Sequence, residues 1–266
     1  MMPLLRVENL TVCYRNKNEA TLALHDFSCQ VNAGEAVGII GQSGAGKTTL
    51  ALALLNLLGD RAVIESGSVF FRGRNLFKLS PHDWQSIRGK EIALIPQASQ
   101  NAWNPVLTIG HQMAEHIENQ LGIARSEAVR RAAAALHEVG LTETVLSSYP
   151  HQLSGGMRQR VAIATACVTE PACIIADECT NSLDAAHQND VLQLLDNLSQ
   201  TRKMAIIIIS HDLTVIARLC RRIYVLYQGK LVETGPTEAI LRFPTHPYTQ
   251  KIIADTQYLC ASLLAV

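Results

Sequence analysis

The chain has no excess of charge of either sign, because its 266 residues include 23 lysines and arginines and 23 aspartates and glutamates. Proteins that bind nucleic acid usually carry a basic face or a basic stripe. A balanced chain gives no such indication, although a net value does not describe how the charges are distributed. We expect no nucleic-acid partner.

Long hydrophobic runs are also absent. The longest apolar stretches, such as Val161–Val168 and Met204–Ile209, are far shorter than the roughly 20 residues that a membrane-spanning helix needs. The N-terminal sequence MMPLLR lacks the charged-then-apolar order of a signal peptide. We therefore expect a chain that does not cross a membrane by itself.

The seven cysteines include no C-x-x-C pair and form no even-numbered framework. This pattern indicates ordinary reduced thiols, as in a cytosolic protein. The histidines are scattered, and the offset between His111 and His116 does not place the two on one helical face. The sequence therefore gives no indication of a disulfide framework or of a metal-chelating cluster.

What the chain does contain is a complete G-x-x-x-x-G-K-[ST] motif at residues 41–48. An apolar, strand-like run, Ala36–Ile40, precedes the motif, and a helical run from Thr48 to Leu58 follows it. Strand, glycine-rich loop and helix N-terminus together place a row of backbone N–H groups around a polyphosphate. Lys47 supplies a positive charge to the β- and γ-phosphates, and the Thr48 hydroxyl is suited to Mg²⁺. The motif predicts a nucleoside triphosphate site formed by Gly41, Gln42, Ser43, Gly44, Ala45, Gly46, Lys47, Thr48 and Thr49.

Strand-like and helical segments alternate along the chain. The strand-like runs are Leu5–Val7, Ala36–Ile40, Ser68–Phe71, Ile92–Ile95, Ala172–Ala176, Ala205–Ile209 and Ile223–Tyr227. Residues from about 108 to 169 are mostly helical, with one helix from Glu127 to Val139 capped by Ser126 and stopped by Gly140. This order favours an α/β fold with a mostly parallel sheet.

We expect this α/β core to carry an N-terminal antiparallel β region and a helical subdomain inserted at about residues 98–169. The nucleotide-binding domain is then predicted to cover residues 1–242. Residues 243–266 remain as a short C-terminal tail.

A second motif, Cys173–Glu178, is an apolar strand that ends in two acids. Asp177 at the end of a buried strand is suited to holding Mg²⁺ through water, and Glu178 can accept a proton from an attacking water. Gln97 follows the strand at 92–95, where it either reaches Mg²⁺ or caps a loop. His211 follows the strand at 205–209, at the sheet edge where ligands gather, and is either a γ-phosphate contact or a structural histidine.

A third motif is Leu153–Gln159, in which Ser154, Gly155 and Gly156 stand at the start of a helix. Free N–H groups and the helix dipole make such a start a second anion site. One chain has no evident need for two phosphate cradles per nucleotide. The economical interpretation is that this cradle closes over a nucleotide held by a partner chain, and the alternative is a simple glycine turn. Tyr14 offers a ring for adenine stacking, although an early tyrosine is more often a core residue.

In their order and spacing, these motifs resemble those of ABC-type ATPase subunits over nearly the whole chain. The matches are Gly41–Thr48 to Walker A, Gln97 to the Q-loop, Leu153–Gln159 to the signature, Cys173–Glu178 to Walker B, Ser182–Asp184 to the D-loop and His211 to the switch histidine. The resemblance implies ATP and Mg²⁺ as cofactors. It places Asp184 at the nucleotide and implies a metal site made by Thr48, Gln97 and Asp177.

Finer features resemble the dipeptide, oligopeptide and nickel importers, namely Asn104–Gly110 and His246–Thr249. Longer members of that branch continue into a cysteine-bearing extension thought to hold an iron–sulfur cluster. This sequence ends at Val266 with only Cys260 in that region, so we expect no cluster. The length is more similar to nickel or metallophore import subunits. The resemblance thus implies an ATP-hydrolysing subunit of a bacterial importer, for nickel or a metal chelate first and for peptides second.

The same resemblance implies a set of partners. These are a related, non-identical second ATPase subunit, two membrane-spanning permease subunits that dock near Gln97–Leu141, and an extracytoplasmic solute-binding protein. The chain would then lie on the cytoplasmic face of the cell membrane as a peripheral subunit. A soluble ABC ATPase that assembles a cofactor without transport would show the same motifs. A DNA-maintenance ATPase predicts long coiled-coil arms or zinc cysteines, and the sequence has neither.

The chain departs from this branch beside two of the motifs. Ala98-Ser99 stands where the branch usually has Asp-Pro, and Cys179-Thr180-Asn181 stands where it has Pro-Thr-Thr or Pro-Thr-Ser. The missing proline frees the backbone next to Glu178, and the Cys179 thiol is then either exposed at the site or an inert thiol in the core. No predicted phosphate or metal ligand is replaced, so we still expect hydrolysis.

Overall fold

The computed structural model describes residues 2–15, 20–97, 102–180 and 185–260. The strands are β1 Leu5–Arg15, β2 Ala20–Val31, β3 Ala36–Ile40, β4 Ala62–Phe71, β5 Arg74–Asn75, β6 Ile92–Ile95, β7 Cys173–Asp177, β8 Ala205–Ile209, β9 Arg222–Tyr227 and β10 Lys230–Pro236. The α-helices are α1 Lys47–Leu54, α2 Pro81–Ile87, α3 Ile109–Leu121, α4 Arg125–Glu138, α5 Gly155–Cys167, α6 Ala185–Arg202, α7 Leu213–Leu219, α8 Thr237–Arg242 and α9 Pro247–Cys260. None of the helices in these ranges is long and apolar enough to cross a bilayer.

The chain divides into two compact units, one formed by residues up to Ser80 together with those from Ala205 onward, and one formed by Pro81–Met204. The first unit contains an antiparallel sheet with the strand order β2-β1-β4-β5. Its strands alternate between buried and exposed residues, as one-sided sheets do, with Leu5, Val7 and Leu10 of β1 turned into the core. The predicted N-terminal antiparallel region is therefore confirmed.

The first unit also contains the strands β10-β9-β3-β8, in that order. β3 pairs in parallel with β8 on one side and with β9 on the other, and β10 pairs with β9 in antiparallel fashion. Nearly all residues of β3 and β8 are buried, which is the pattern expected of a parallel sheet covered on both faces. Gly38 in β3 lets α7 pack closely, because an added Cβ would lie 2.9 Å from the Ile216 side chain.

The second unit combines the parallel pair β6 and β7 with the helices α2 to α6. α3 and α4 pack on each other, and their buried residues recur at helical spacing: Ile109, Met113, Ala114, Ile117, Ala128, Ala132, Ala135 and Leu136. Arg202 at the end of α6 donates to both carboxylate oxygens of Glu138 and to the Cys167 carbonyl. Three of these helices, α3 to α5, lie inside the stretch predicted to be helical, residues 108–169. The bounds of the helical subdomain, 98–169, and the end of the nucleotide-binding domain at residue 242 stay predictions.

The helix that follows the glycine-rich loop ends at Leu54, so the predicted end at Leu58 is wrong. Asn56 adopts a φ of +50°, in the left-handed region that asparagine tolerates better than most residues. Its N–H donates to the Ala53 carbonyl, and the N–H of the next residue donates to the Leu52 carbonyl. These two bonds form a Schellman motif, which closes the helix.

Two further differences concern capping and strand content. The N-cap of α4 is Ala124, so the predicted cap, Ser126, lies inside the first turn. The stop at Gly140 is confirmed, and its φ of +73° is the conformation that glycine adopts without a Cβ penalty. β2 and β10 are absent from the sequence-based interpretation, and β1 and β4 extend well beyond the short runs predicted there.

We predict that Gly110→Ala destabilises the second unit by about 1–3 kcal/mol, the range for overpacking a filled site. An added Cβ at Gly110 would lie 2.7 Å from the Leu146 carbonyl oxygen, a backbone atom that cannot swing aside. The measurement is the midpoint of unfolding in urea, which reports a change in stability when wild type and variant have the same m-value.

Gly59→Ala is the matched control, because an added Cβ there meets nothing within 4 Å and its φ lies outside the left-handed region. It should leave the midpoint unchanged or raise it slightly. Equal midpoints for the two variants would contradict the close packing of α3 on residues 143–147.

Candidate functional site

The glycine-rich loop joins the C-terminal end of β3 to the start of α1 at Lys47. Gly46 is the N-cap residue, with a φ of +103°, and it provides no side-chain cap to the helix. The N-cap residue therefore offers no side-chain oxygen to the first turn, and the helix dipole favours an anion there. Ser43, Gly44 and Thr48 are exposed, so the loop is open to solvent on one side.

Two glycines allow the loop to touch neighbouring backbone. A Cβ at Gly41 would lie 2.4 Å from the Leu226 carbonyl oxygen of β9, and a Cβ at Gly46 would lie 2.4 Å from the Ala23 carbonyl oxygen of β2. The Ala45 carbonyl also accepts a hydrogen bond from the N–H of Gly229, at 3.1 Å. The loop is thus held in place by main-chain contacts from both sheets of the first unit.

Lys47 lies within the loop it belongs to. Its side chain is buried, with 5% of the residue exposed, and Nζ donates to the carbonyl oxygens of Gly41 at 2.7 Å and Gln42 at 3.1 Å. Burying an ammonium group is costly unless polar partners replace its water. The two carbonyls provide such partners, and they hold the positive charge at the loop.

The other candidates in the first unit are Tyr14 and His211. Tyr14 is half-buried in β1 and pairs with Thr21 of β2, two residues before the Ala23 carbonyl that touches Gly46. His211 is exposed, and it follows the C-terminal end of β8. Both positions agree with the sequence-based interpretation, and both roles stay predictions.

In the second unit, the structure brings Gln97 and Glu178 together. The Gln97 side-chain amide donates to a carboxylate oxygen of Glu178 at 3.0 Å. Asp177 is the last residue of β7 and is 4% exposed, whereas Glu178 is half-buried. The polar side chains expected at this strand end are therefore in place.

Glu178 adopts a φ of +46°, which is unusual for a residue with a Cβ. Such a conformation costs on the order of 1–3 kcal/mol and persists where the surrounding structure determines it. The turn after Asp177 thereby sets the direction in which the Glu178 carboxylate leaves the strand.

The predicted anion site on α5 begins as expected, with Ser154 as the N-cap. The Ser154 hydroxyl accepts a hydrogen bond from the Met157 N–H at 3.2 Å, and the residue is exposed. Arg158 supports the preceding turn by donating to the Leu153 carbonyl at 2.9 Å. Ser154 thus faces solvent at the helix start, whereas Gly155 is half-buried and Gly156 is buried.

Some predicted features lie outside the described residues. These are the D-loop with Asp184 and the departures at Ala98, Ser99 and Asn181. Cys179 is described, and of the two alternatives the exposed thiol is wrong and the thiol in the core is confirmed. The residue is 5% exposed, and burial raises the pKa of its thiol to about 12, so it stays protonated at neutral pH.

One contact to the loop has no counterpart in the sequence-based set of site residues. The Tyr248 hydroxyl, from the start of α9, accepts a hydrogen bond from the Gln42 N–H at 2.7 Å. The sequence signals this residue only as part of His246–Thr249, where it marks a branch of importers and has no assigned place at the nucleotide.

Comparison with known proteins gives consistent results. The family described as ABC transporter matches residues 24–181. The chain is 41% identical over 265 residues to the glutathione import ATP-binding protein GsiA of Salmonella typhimurium, and 40% identical to that of Escherichia coli K12. Each alignment covers 97% of this chain and 42% of the relative, so the chain spans less than half the length of these curated relatives.

Solved structures show the same fold. The dimeric ATP-binding cassette MJ0796, determined in a post-hydrolysis state with ADP and Pi, superimposes with a TM-score of 0.78 and 28% identity over 88% of this chain and 98% of that one. CbiO1 of Clostridium perfringens, part of the transporter complex cbiONQ, superimposes with a TM-score of 0.79 and 24% identity over 99% of this chain and 98% of that one. The fold is the α/β P-loop cassette with an antiparallel N-terminal sheet and a helical subdomain. The chain belongs to the ABC transporter family.

Proposed function

We propose that the chain is the ATP-binding and ATP-hydrolysing subunit of a bacterial ABC importer. The observation that carries this proposal is the buried Lys47 ammonium, held by two carbonyls of a loop whose helix N-terminus has no side-chain cap. The cation, the backbone donors of a helix N-terminus and the helix dipole all favour the phosphates of a nucleotide. The similarity to a cassette bound to ADP and Pi supports the same conclusion.

The roles within this proposal follow the chemistry of each group. Residues 41–49 bind the phosphates, and Tyr14 stacks on adenine. Mg²⁺ would be held by Thr48, Gln97 and, through water, Asp177, since hydroxyl, amide and carboxylate oxygens are the ligands it prefers. When bound, the ion would neutralise part of the charge on the phosphate oxygens. The buried carboxylate of Asp177 at a strand end fits such an ion.

Glu178 and His211 are the proposed catalytic residues. Glu178 accepts a proton from the attacking water, and the amide of Gln97 keeps the carboxylate oriented through the bond described above. His211 contacts the γ-phosphate and helps to orient the water. Asp184 contributes from the D-loop, as the family resemblance implies.

The proposed assembly contains a second ATPase subunit, two permease subunits and an extracytoplasmic binding protein. ATP would lie between the Walker A loop of one ATPase and Ser154–Gly156 of the other. The subunit would then be a peripheral protein on the cytoplasmic face of the membrane. The exposed start of α5 and the dimeric state of the similar cassette support this arrangement.

For the transported solute, we propose a small peptide rather than nickel. The nickel prediction rests on chain length, but the relatives that match this chain are more than twice as long, so length does not favour nickel. These relatives are named glutathione import proteins. The names of the relatives therefore favour peptides, which the sequence alone placed second to nickel. Nickel or a metal chelate remains the second candidate, because Asn104–Gly110 and His246–Thr249 resemble the whole branch.

The solute is tested by uptake of labelled glutathione, dipeptides and nickel into cells of the source bacterium that lack this subunit. Loss of peptide uptake, restored by the wild-type subunit and not by Glu178→Gln, is the expected result. Loss of nickel uptake alone would reverse the order of the two candidates. Normal uptake of every solute, with the protein absent from membranes, would favour a soluble ABC ATPase.

We predict that Glu178→Gln retains ATP binding and lowers kcat about 100-fold or more, because an amide cannot take a proton from water. The measurements are ATPase turnover of the complex with the second ATPase subunit and ATP affinity of the purified chain. Glu143→Gln makes the same change at an exposed carboxylate and should leave both unchanged. A drop in kcat of less than tenfold would require a different base.

We predict that Ser154→Arg abolishes hydrolysis and leaves ATP bound to the isolated subunit. A bulky cation at the start of α5 blocks closure onto the partner's nucleotide, whereas the chain's own phosphate loop is unchanged. Ser147→Arg introduces the same side chain at another exposed serine and should remain active. Hydrolysis at the normal rate in Ser154→Arg would contradict the two-chain site.

A further inference from the structure

The C-terminal helix α9 starts beside the phosphate loop of the first unit. The hydroxyl of Tyr248, in its first turn, accepts a hydrogen bond from the Gln42 N–H at 2.7 Å. Tyr248 is only 7% exposed, so water does not readily replace this bond. A side chain far along the chain thus binds the backbone of the loop that we assign to ATP.

The bond acts on one peptide group. The Gly41 carbonyl and the Gln42 N–H belong to the same planar amide, so a partner that fixes one end also fixes the other. The carbonyl accepts from Lys47 Nζ at 2.7 Å, and the N–H donates to Tyr248. Hydrogen bonds in such a chain polarise one another, so the Tyr248 bond strengthens the hold of the carbonyl on the ammonium.

Tyr248 is itself fixed by its surroundings. Its ring stacks on Tyr227 with centroids 4.2 Å apart, and its N–H donates to the His246 ring at 3.1 Å. The Glu233 carboxylate accepts from the N–H groups of Thr245 and His246, which anchors the start of the tail to β10. Burial raises the pKa of the Tyr248 phenol, so the group remains a neutral hydroxyl under physiological conditions.

We propose that Tyr248 is a positioning residue for phosphate binding. It holds the Gly41–Gln42 peptide in the orientation that keeps the Lys47 ammonium directed at the nucleotide phosphates. The His246–Thr249 segment therefore braces the phosphate loop from outside. This inference rests on the proposed function of the loop as an ATP site.

Tyr248→Phe removes the hydroxyl and keeps the stacked ring. KM for ATP should rise about three- to tenfold, the range that one net hydrogen bond covers, with kcat changed less than about twofold. The unfolding midpoint in urea should fall by no more than the loss of one hydrogen bond allows, because the ring packing is retained. A purely structural role would lower the midpoint in the same way but leave KM at the wild-type value.

Tyr227→Phe is the matched control. It removes the hydroxyl of the ring that stacks on Tyr248. The hydrogen bond described for this hydroxyl comes from the Gln228 side chain, at 3.3 Å. It should leave KM, kcat and the midpoint at their wild-type values. A rise in KM equal to that of Tyr248→Phe would assign the effect to the aromatic pair and overturn the proposal.

A second measurement is independent of nucleotide. Hydrogen exchange of the Gln42 amide, followed by NMR in the full chain, should be faster in Tyr248→Phe than in wild type and in Tyr227→Phe. Equal exchange would overturn the contact, and faster exchange with an unchanged KM would overturn the positioning role alone. A wild-type chain that does not bind ATP would overturn the proposed function, and the positioning role with it.

Discussion

The close approach of backbone to backbone at the phosphate loop is the constraint on which the rest of the site depends. Carbonyl oxygens from β2 and β9 occupy the space that a Cβ would need at Gly46 and Gly41. Larger residues at these positions would push the loop away from both sheets. The conformation of the loop, and with it the direction of its N–H groups, is therefore fixed before any ligand arrives, which is the condition for strong electrostatic binding.

The polar groups of the site are also held in position by the surrounding structure. Lys47 is buried with two carbonyl acceptors, Glu178 is held in a left-handed conformation, and Gln97 supports its carboxylate. The buried ammonium and the left-handed backbone each cost free energy in the absence of substrate. The carbonyl acceptors and the Gln97 amide offset part of that cost.

The sequence predicted the α/β class, the antiparallel N-terminal region, the helix after the glycine-rich loop and the helix headed by Ser154, because motif and periodicity are local signals. It did not predict that Asn56 would end α1, since that depends on one backbone angle. It missed β2 and β10, whose pairing is decided by partners distant in the chain. The contact from Tyr248 to the loop is of the same kind, because only the folded chain brings α9 to Gln42.

The most direct test of the account is calorimetry of ATP with Mg²⁺ on the purified chain and on Lys47→Ala. We predict stoichiometric binding by the wild type and its loss in the variant, because the loop loses the side-chain cation that it buries. Lys90→Ala, at an exposed lysine, should bind like wild type. Unchanged ATP affinity in a Lys47→Ala chain with a normal unfolding transition would contradict the assignment of the loop.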